Sequence, residues 1–202
     1  MHYYATASGP VVTDAMREGL LRLIVTPLAR NRPRAGVRWC ADNGAFTGTV
    51  SAEQWWAWLT TLEHRELCDF AVAPDVVADA AATLTRSAPW LPHIRSLGIP
   101  AAFVAQDGTA TVGVPWGAFD VLFIGGTTDY KLGPEARRLT TEAGVRGVPV
   151  HMGRVNSRRR LRYADAIGCA SVDGTYLTYG PSKLLPGPLG WLREVETEGT
   201  LL

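Results

Sequence analysis

The chain has 202 residues and a mass of 21.8 kDa, room for one large domain or two small ones, and its 47% hydrophobic and 19% charged content excludes intrinsic disorder. No apolar run approaches the roughly 18 residues that cross a bilayer, and the opening MHYYATASGP lacks the basic stretch and apolar core of a secretory leader. A net charge of +1 excludes a polycation, and three scattered cysteines, Cys40, Cys68 and Cys169, predict reduced thiols in a cytoplasm rather than a disulfide framework.

In chain order, the first two apolar runs, residues 3–7 and 21–25, are short and rich in β-branched or aromatic residues, as buried parallel strands are. The stretch LARNRPRAG then reads as a loop leading to a third strand at 37–41. Ser51 with Gln54 forms a capping box that opens a helix to Leu62, with Trp55, Trp58, Leu59 and Leu62 at helical spacing. That packing role suits the tryptophans better than base stacking. A fourth strand at 70–73 precedes an Ala-rich helix at 76–84, and a fifth at 101–105 precedes a Gly/Thr-rich link. The sixth, 121–124, leads to a helix at 134–143 that starts with proline. After the seventh, 148–152, Asn156 or Ser157 can cap a helix at 158–167; the eighth strand is 169–172. The tail from residue 186 predicts a last helix at 189–195 with a frayed end.

Eight strands with mostly helical crossovers predict an α/β protein, and eight is the number that closes a barrel. The expectation is a compact (β/α)8 TIM barrel, one domain over residues 1–202. Two weakly helical links, after the second and fifth strands, keep an open doubly wound sheet as the alternative.

In such a barrel the reactive groups stand at the C-terminal strand ends. There the sequence places Asp42, Asn43, Gly44, Ala45 and Phe46 after the third strand and Asp75 after the fourth. Gln106 and Asp107 follow the fifth, Gly125 and Gly126 the sixth, Met152, Gly153 and Arg154 the seventh, Asp173 and Gly174 the eighth. Carboxylates gathered at one mouth serve as acid, base or nucleophile. Plainer roles stay open: Asp75 as a helix cap, Asp42 and Asp173 as turn residues, the glycine pair as relief of crowding. His151, near the mouth, reads as a buried and satisfied imidazole. Arg154, Arg158, Arg159, Arg160 and Arg162 form a cluster suited to phosphate, although a general preference for arginine over lysine explains it equally well.

The order of these motifs resembles that of the tRNA-guanine transglycosylase superfamily. Asp42-Asn43-Gly44-Ala45-Phe46 is similar to its Asp-Ser-Gly-Gly-Phe motif, and Ile124-Gly125-Gly126 to its Ile-Gly-Gly segment. Met152-Gly153 matches its Met-Gly turn, Asp75 and Gln106 its base-recognising aspartate and glutamine, and Ser171-Val172-Asp173 the place of its nucleophile. The likeness runs from about residue 37 to 175. The zinc site of the tRNA enzymes, three cysteines and a histidine, has no counterpart after Cys169. The segments WCADNGAF, FIGGTTDYKLGPEA and HMGRVNSRRRLRYADAIGCASVDGT look like the compact phage branch, the DpdA-type enzymes that insert 7-deazaguanines such as preQ0 into DNA.

The resemblance implies a base-exchanging glycosyltransferase in which Asp173 is the nucleophile and Asp42 the proton shuttle. It implies substrate binding by Asn43, Phe46, Asp75, Gln106, Gly125, Gly126 and Met152, and phosphate contacts from Arg154, Arg158 and Arg159. No cofactor or metal is expected; the partners are DNA, with its target base flipped out or already single-stranded, and a free 7-deazaguanine base. A homodimer is compatible with the sequence, and a phage-encoded chain would work in the host cytoplasm. The alternatives are a minimal zinc-free tRNA-guanine transglycosylase and a non-catalytic nucleic-acid-binding barrel.

Overall fold

The computed structural model describes residues 1–48 and 50–199. Eight parallel strands close into a barrel in chain order: β1 (His2–Ala5), β2 (Arg22–Val25), β3 (Trp39–Ala41), β4 (Cys68–Val72), β5 (Ala101–Ala105), β6 (Val121–Ile124), β7 (Val150–Met152) and β8 (Ser171–Asp173). Closure runs through β1 and β8, with Tyr3 opposite Val172 and Tyr4 opposite Asp173. Each predicted run supplies one strand, and the open sheet is excluded.

Alternation along the strands sorts side chains into two layers. Tyr4, Ile24, Cys40, Phe70, Val72, Ala102, Val104 and Val121 fill the barrel, with Phe123 packed against them. Tyr3, Leu23, Trp39, Phe103, Leu122 and Met152 belong to the larger outer core, shared with the helices. Burial on both faces makes the strands read as continuous apolar runs. Each fully buried Leu or Phe adds about 1.5–3 kcal/mol over leaving it in water.

The outer helices are α1 (Pro10–Arg17), α2 (Ala52–Leu59), α3 (Ala80–Ser87), α4 (Trp90–Ser96), α5 (Thr109–Val112), α6 (Thr128–Leu132), α7 (Pro134–Val145), α8 (Arg158–Ala166), α9 (Pro181–Leu184) and α10 (Pro186–Gly199). The capping box of α2 forms as predicted, and Trp55 is buried edge-on against Trp90 at 6.1 Å. The helix is shorter than expected, since Thr60 already caps it. Ser157 caps α8; Asn156 instead accepts from the Thr175 and Tyr176 amides at 2.7 and 3.1 Å, fastening the loop after β8.

The predicted helix at 76–84 starts later, at Ala80, under an Asp79 cap. The residues before it are spent on the site. Val76 pairs with the Thr83 hydroxyl through both its amide and its carbonyl, and Ala78, at φ 63°, donates its amide to Gln106. The links after β2 and β5 are as weakly helical as expected, the latter holding only the single turn of α5. Residues 200–202 of the predicted tail lie outside the described residues. The three cysteines are buried and free. Among the described residues, no helix is long and apolar enough to cross a membrane.

The N-terminal end of the barrel is closed by an ion cluster. Asp69 on β4 pairs with Arg22 at 2.9 Å and with Arg38, and accepts from the Tyr4 hydroxyl at 2.7 Å.

Candidate active site

At the opposite end a cavity of about 580 Å³, counting its open mouth, is lined by Asp42, Asn43, Phe46, Asp75, Gln106, Gly125, Gly126, Lys131, Gly153, Arg154 and Asp173 among others. Most of the predicted site residues therefore meet in one place, and the residues from β3, β4 and β5 form one wall of it.

That wall is a closed hydrogen-bond network. Asn43 is buried and donates to the Ala73 carbonyl and to Asp75 Oδ1, both at 2.7 Å. Gln106 Nε2 donates to Asp75 Oδ2, and Gln106 Oε1 accepts from the Ala78 amide at 2.9 Å. With Oε1 committed to a backbone N–H, the amide has one orientation, and its second N–H is left over. Asp75 caps no helix: burial raises its carboxyl above the usual range, and the Asn43 and Gln106 hydrogen bonds oppose that rise.

Asp42 follows β3 directly and is partly buried. Burial, then the charges of Asp173 and Asp75, raise its carboxyl to about 7. Near neutral pH it is therefore divided between acid and base, which suits a proton shuttle.

Asp173 ends β8 and is held on both oxygens. Oδ1 accepts from the Arg154 amide at 3.2 Å, and Oδ2 meets His151 Nε2 at 3.0 Å. His151 is fully buried among the rings of Tyr4, Phe70 and Phe123, and its Nδ1 lies 2.8 Å from the Ser171 hydroxyl. In the tautomer with its proton on Nε2, His151 donates to Asp173 and its Nδ1 accepts from the Ser171 hydroxyl. His151 is satisfied, as the sequence suggests, but its partner is a residue of the cavity. Strand parity could have found this: His151 stands opposite Phe123 and therefore points inward.

The same parity corrects Met152. Its neighbour His151 points into the barrel, so Met152 points out into the outer core; it is absent from the lining of the main cavity and borders only the narrow crevice beside Lys131. The glycines answer to crowding. A Cβ on Gly125 would stand 2.6 Å from Val104 and 3.0 Å from the Gln106 amide, and one on Gly153 would press on Phe123 at 2.8 Å. The Gly125 amide is engaged by the Ala105 carbonyl at 3.0 Å, so Gly126 is left as the amide donor of that pair. Asp107 accepts from Thr127 through its amide and hydroxyl, tying the β5 and β6 loops together.

Phe46 stands 63% exposed at the mouth, and the Arg154 guanidinium lies 3.7 Å over its ring. Of the three arginines expected to meet phosphate, Arg154 alone lines the cavity. Arg158 turns away, pairing with Glu194 of α10 at 2.7 Å, and Arg159 lies exposed on α8. Arg160, in contrast, reaches back to the Arg154 carbonyl at 3.4 Å. The sequence reading also passes over Lys131, a buried lysine of the cavity wall whose Nζ donates to the Gly153 carbonyl at 3.2 Å. Among the described residues, no group of three or more His, Cys, Asp and Glu stands together as metal ligands.

No family model and no curated protein match the chain. Solved structures do. The chain is similar to the BexX/CysO complex structure of Amycolatopsis orientalis, with 14% identity, a TM-score of 0.61 and coverage of 99% of this chain and 89% of that one. It is also similar to ligand-free tryptophan synthase from M. tuberculosis, at 14% identity and a TM-score of 0.53, covering 96% and 90% of the two chains. At such identities the likeness is one of fold, and the chemistry has to be argued from the cavity.

Proposed function

We propose that this cavity exchanges guanine in DNA for a free 7-deazaguanine base through a covalent intermediate on Asp173. The observation that carries the reading is the pairing of an acceptor with an oriented donor on one wall, facing two carboxylates. Asp75 uses one lone pair on each oxygen for Asn43 and Gln106 and keeps others for a ligand. Beside it Gln106 keeps one N–H. Acceptor next to donor complements the N1–H and exocyclic amine of guanine beside its O6, and opposes the reversed pattern of adenine. The choice of DNA and of a 7-deazaguanine rests on the sequence resemblance.

In the first half-reaction an Asp173 oxygen attacks C1′ of a flipped deoxyguanosine and the C1′–N9 bond breaks. Its electron pair leaves with the guanine, which takes a proton from Asp42. In the second, the incoming base gives its N9 proton to Asp42, attacks C1′ and releases Asp173. The carboxylate suits this because it stabilises oxocarbenium-like charge and leaves again, as in retaining glycosidases. His151 and the Arg154 amide hold Asp173 in line for the attack.

The test is incorporation of labelled guanine and labelled preQ0 into single-stranded DNA, duplex DNA and tRNA, run side by side. Exchange in DNA is the expected result. Exchange confined to tRNA would move the reading to the other polymer, and none in any polymer would overturn it.

A further inference from the structure

Lys131 has no part in the chemistry above, yet it is only 6% exposed and lines the cavity. Its ammonium has one neutral acceptor, the Gly153 carbonyl. Beside the cavity a crevice with room for about one water is lined by Thr128, Lys131, Gly153, Arg154 and Arg160 together with the apolar Leu132, Met152 and Val155. Three cations thus share one recess on the β6–β7 side of the mouth.

Among the described residues none of the three has an ion-pair partner. Arginines elsewhere pair with carboxylates: Arg22 and Arg38 with Asp69, Arg95 with Asp120, Arg158 with Glu194. Burying an ammonium without an anion and setting like charges beside it is costly. Burial, followed by the Arg154 charge, lowers the Lys131 ammonium to about 8; the Asp173 and Asp107 carboxylates oppose this, and Arg160 adds to it. A bound anion would reverse that effect and favour the charged form.

The backbone is arranged to hold the group together. Arg154 sits at φ 64°, a left-handed conformation that arginine rarely adopts. In that turn its amide meets Asp173 and its carbonyl meets Arg160, while the preceding carbonyl meets Lys131. Although the Arg154 guanidinium stacks on Phe46, its edge N–H groups stay available.

We propose that Lys131, Arg154 and Arg160 form a phosphate-binding subsite beside the catalytic cavity. The ligand is a phosphate group, either the phosphodiester flanking a nucleotide in a chain or the terminal phosphate of a mononucleotide. The proposal stands on Lys131 and Arg154 in the cavity wall and on Arg160 beside them, and does not require the base-exchange reading.

The experiment measures binding by calorimetry to the full chain of three probes: inorganic phosphate, deoxyguanosine monophosphate and a short guanine-containing oligonucleotide. The oligonucleotide is also used with its phosphate on either side of the guanine replaced by neutral methylphosphonate. Lys131→Met and the rim variant Arg160→Gln are compared with Arg17→Gln, on the distant helix α1. Each of the first two should weaken binding about tenfold, the loss of one charge-assisted contact, and Arg17→Gln should leave it unchanged.

A phosphodiester site shows the tenfold loss with the oligonucleotide and loses it with one methylphosphonate; a monoester site shows it with the mononucleotide. Wild-type affinity in both Lys131→Met and Arg160→Gln, or no binding of any probe, overturns the subsite. Phosphate binding that depends on Lys131 and Arg160 without base exchange in any polymer would leave the subsite standing and remove the proposed reaction. Base exchange in DNA, with binding of all three probes indifferent to both residues, would do the opposite.

Discussion

The two ends of this barrel handle charge in opposite ways. At the N-terminal end Asp69 is shared among Arg22, Arg38 and Tyr4, so each buried charge has a partner. At the C-terminal end Asp42 is a carboxyl raised by burial and by its acidic neighbours, and Lys131 a buried ammonium that forms no ion pair among the described residues. Pairing offsets the cost of taking a charge out of water, so breaking such a pair is destabilising. Unpaired charges weaken the fold, and are retained where a ligand or a reaction supplies the missing partner. One end of the barrel holds the fold and the other is held in readiness by it.

The largest expected effect lies at the reactive end. Asp173→Asn should abolish both exchange and the covalent adduct, read by intact mass after incubation with guanine-containing DNA and no free base. An adduct that survives there but vanishes in Asp42→Asn would reverse the roles of the two aspartates.

Asp42→Asn is expected to slow guanine release by about 10²–10⁴, the usual worth of a positioned acid. The wild-type rate of that step should fall as pH rises through about 7, where Asp42 loses its proton, and the variant should show no such fall. Stability carries the same sign. A carboxyl raised from 3.8 to about 7 binds a proton in the folded state that the unfolded chain has released, so wild-type stability falls between those pH values. Asp42→Asn should therefore raise the melting temperature more at pH 8 than at pH 4; an equal shift at both would deny the raised carboxyl.

His151→Gln should lower kcat about 10–100-fold with KM nearly unchanged, because it loosens Asp173 without touching the base. A KM effect alone would make His151 a packing residue. At the other end Asp69→Ala should cost about 2–4 kcal/mol in denaturant unfolding, by leaving Arg22 partly buried without its carboxylate. Its kcat below the melting transition should match wild type; a kcat loss there would erase the division between the ends. The smallest effect is expected of Arg158→Gln. Its pair with Glu194 is exposed, so stability should change by about 0–1 kcal/mol, and DNA affinity, measured by fluorescence anisotropy, should stay within about twofold. A large loss of affinity would restore Arg158 to the nucleic-acid surface.

Local signals carried most of the fold. Strands buried on both faces write themselves as apolar runs, caps such as Ser51 and Ser157 bond within their own turn, and residues following a barrel strand share one mouth wherever the strands pair. Asp42, Asp75, Gln106 and Asp173 could thus be gathered from sequence position alone. What the sequence left open depends on which way a side chain turns and what meets it. Strand parity sends His151 inward and Met152 outward, and α10, distant in the chain, draws Arg158 away. Lys131 carries no local mark, for a lysine in a short helix reads the same exposed or buried. Tertiary packing alone gave it a cavity wall and two arginines for neighbours, because burial and the field of other charges depend on residues far away in sequence.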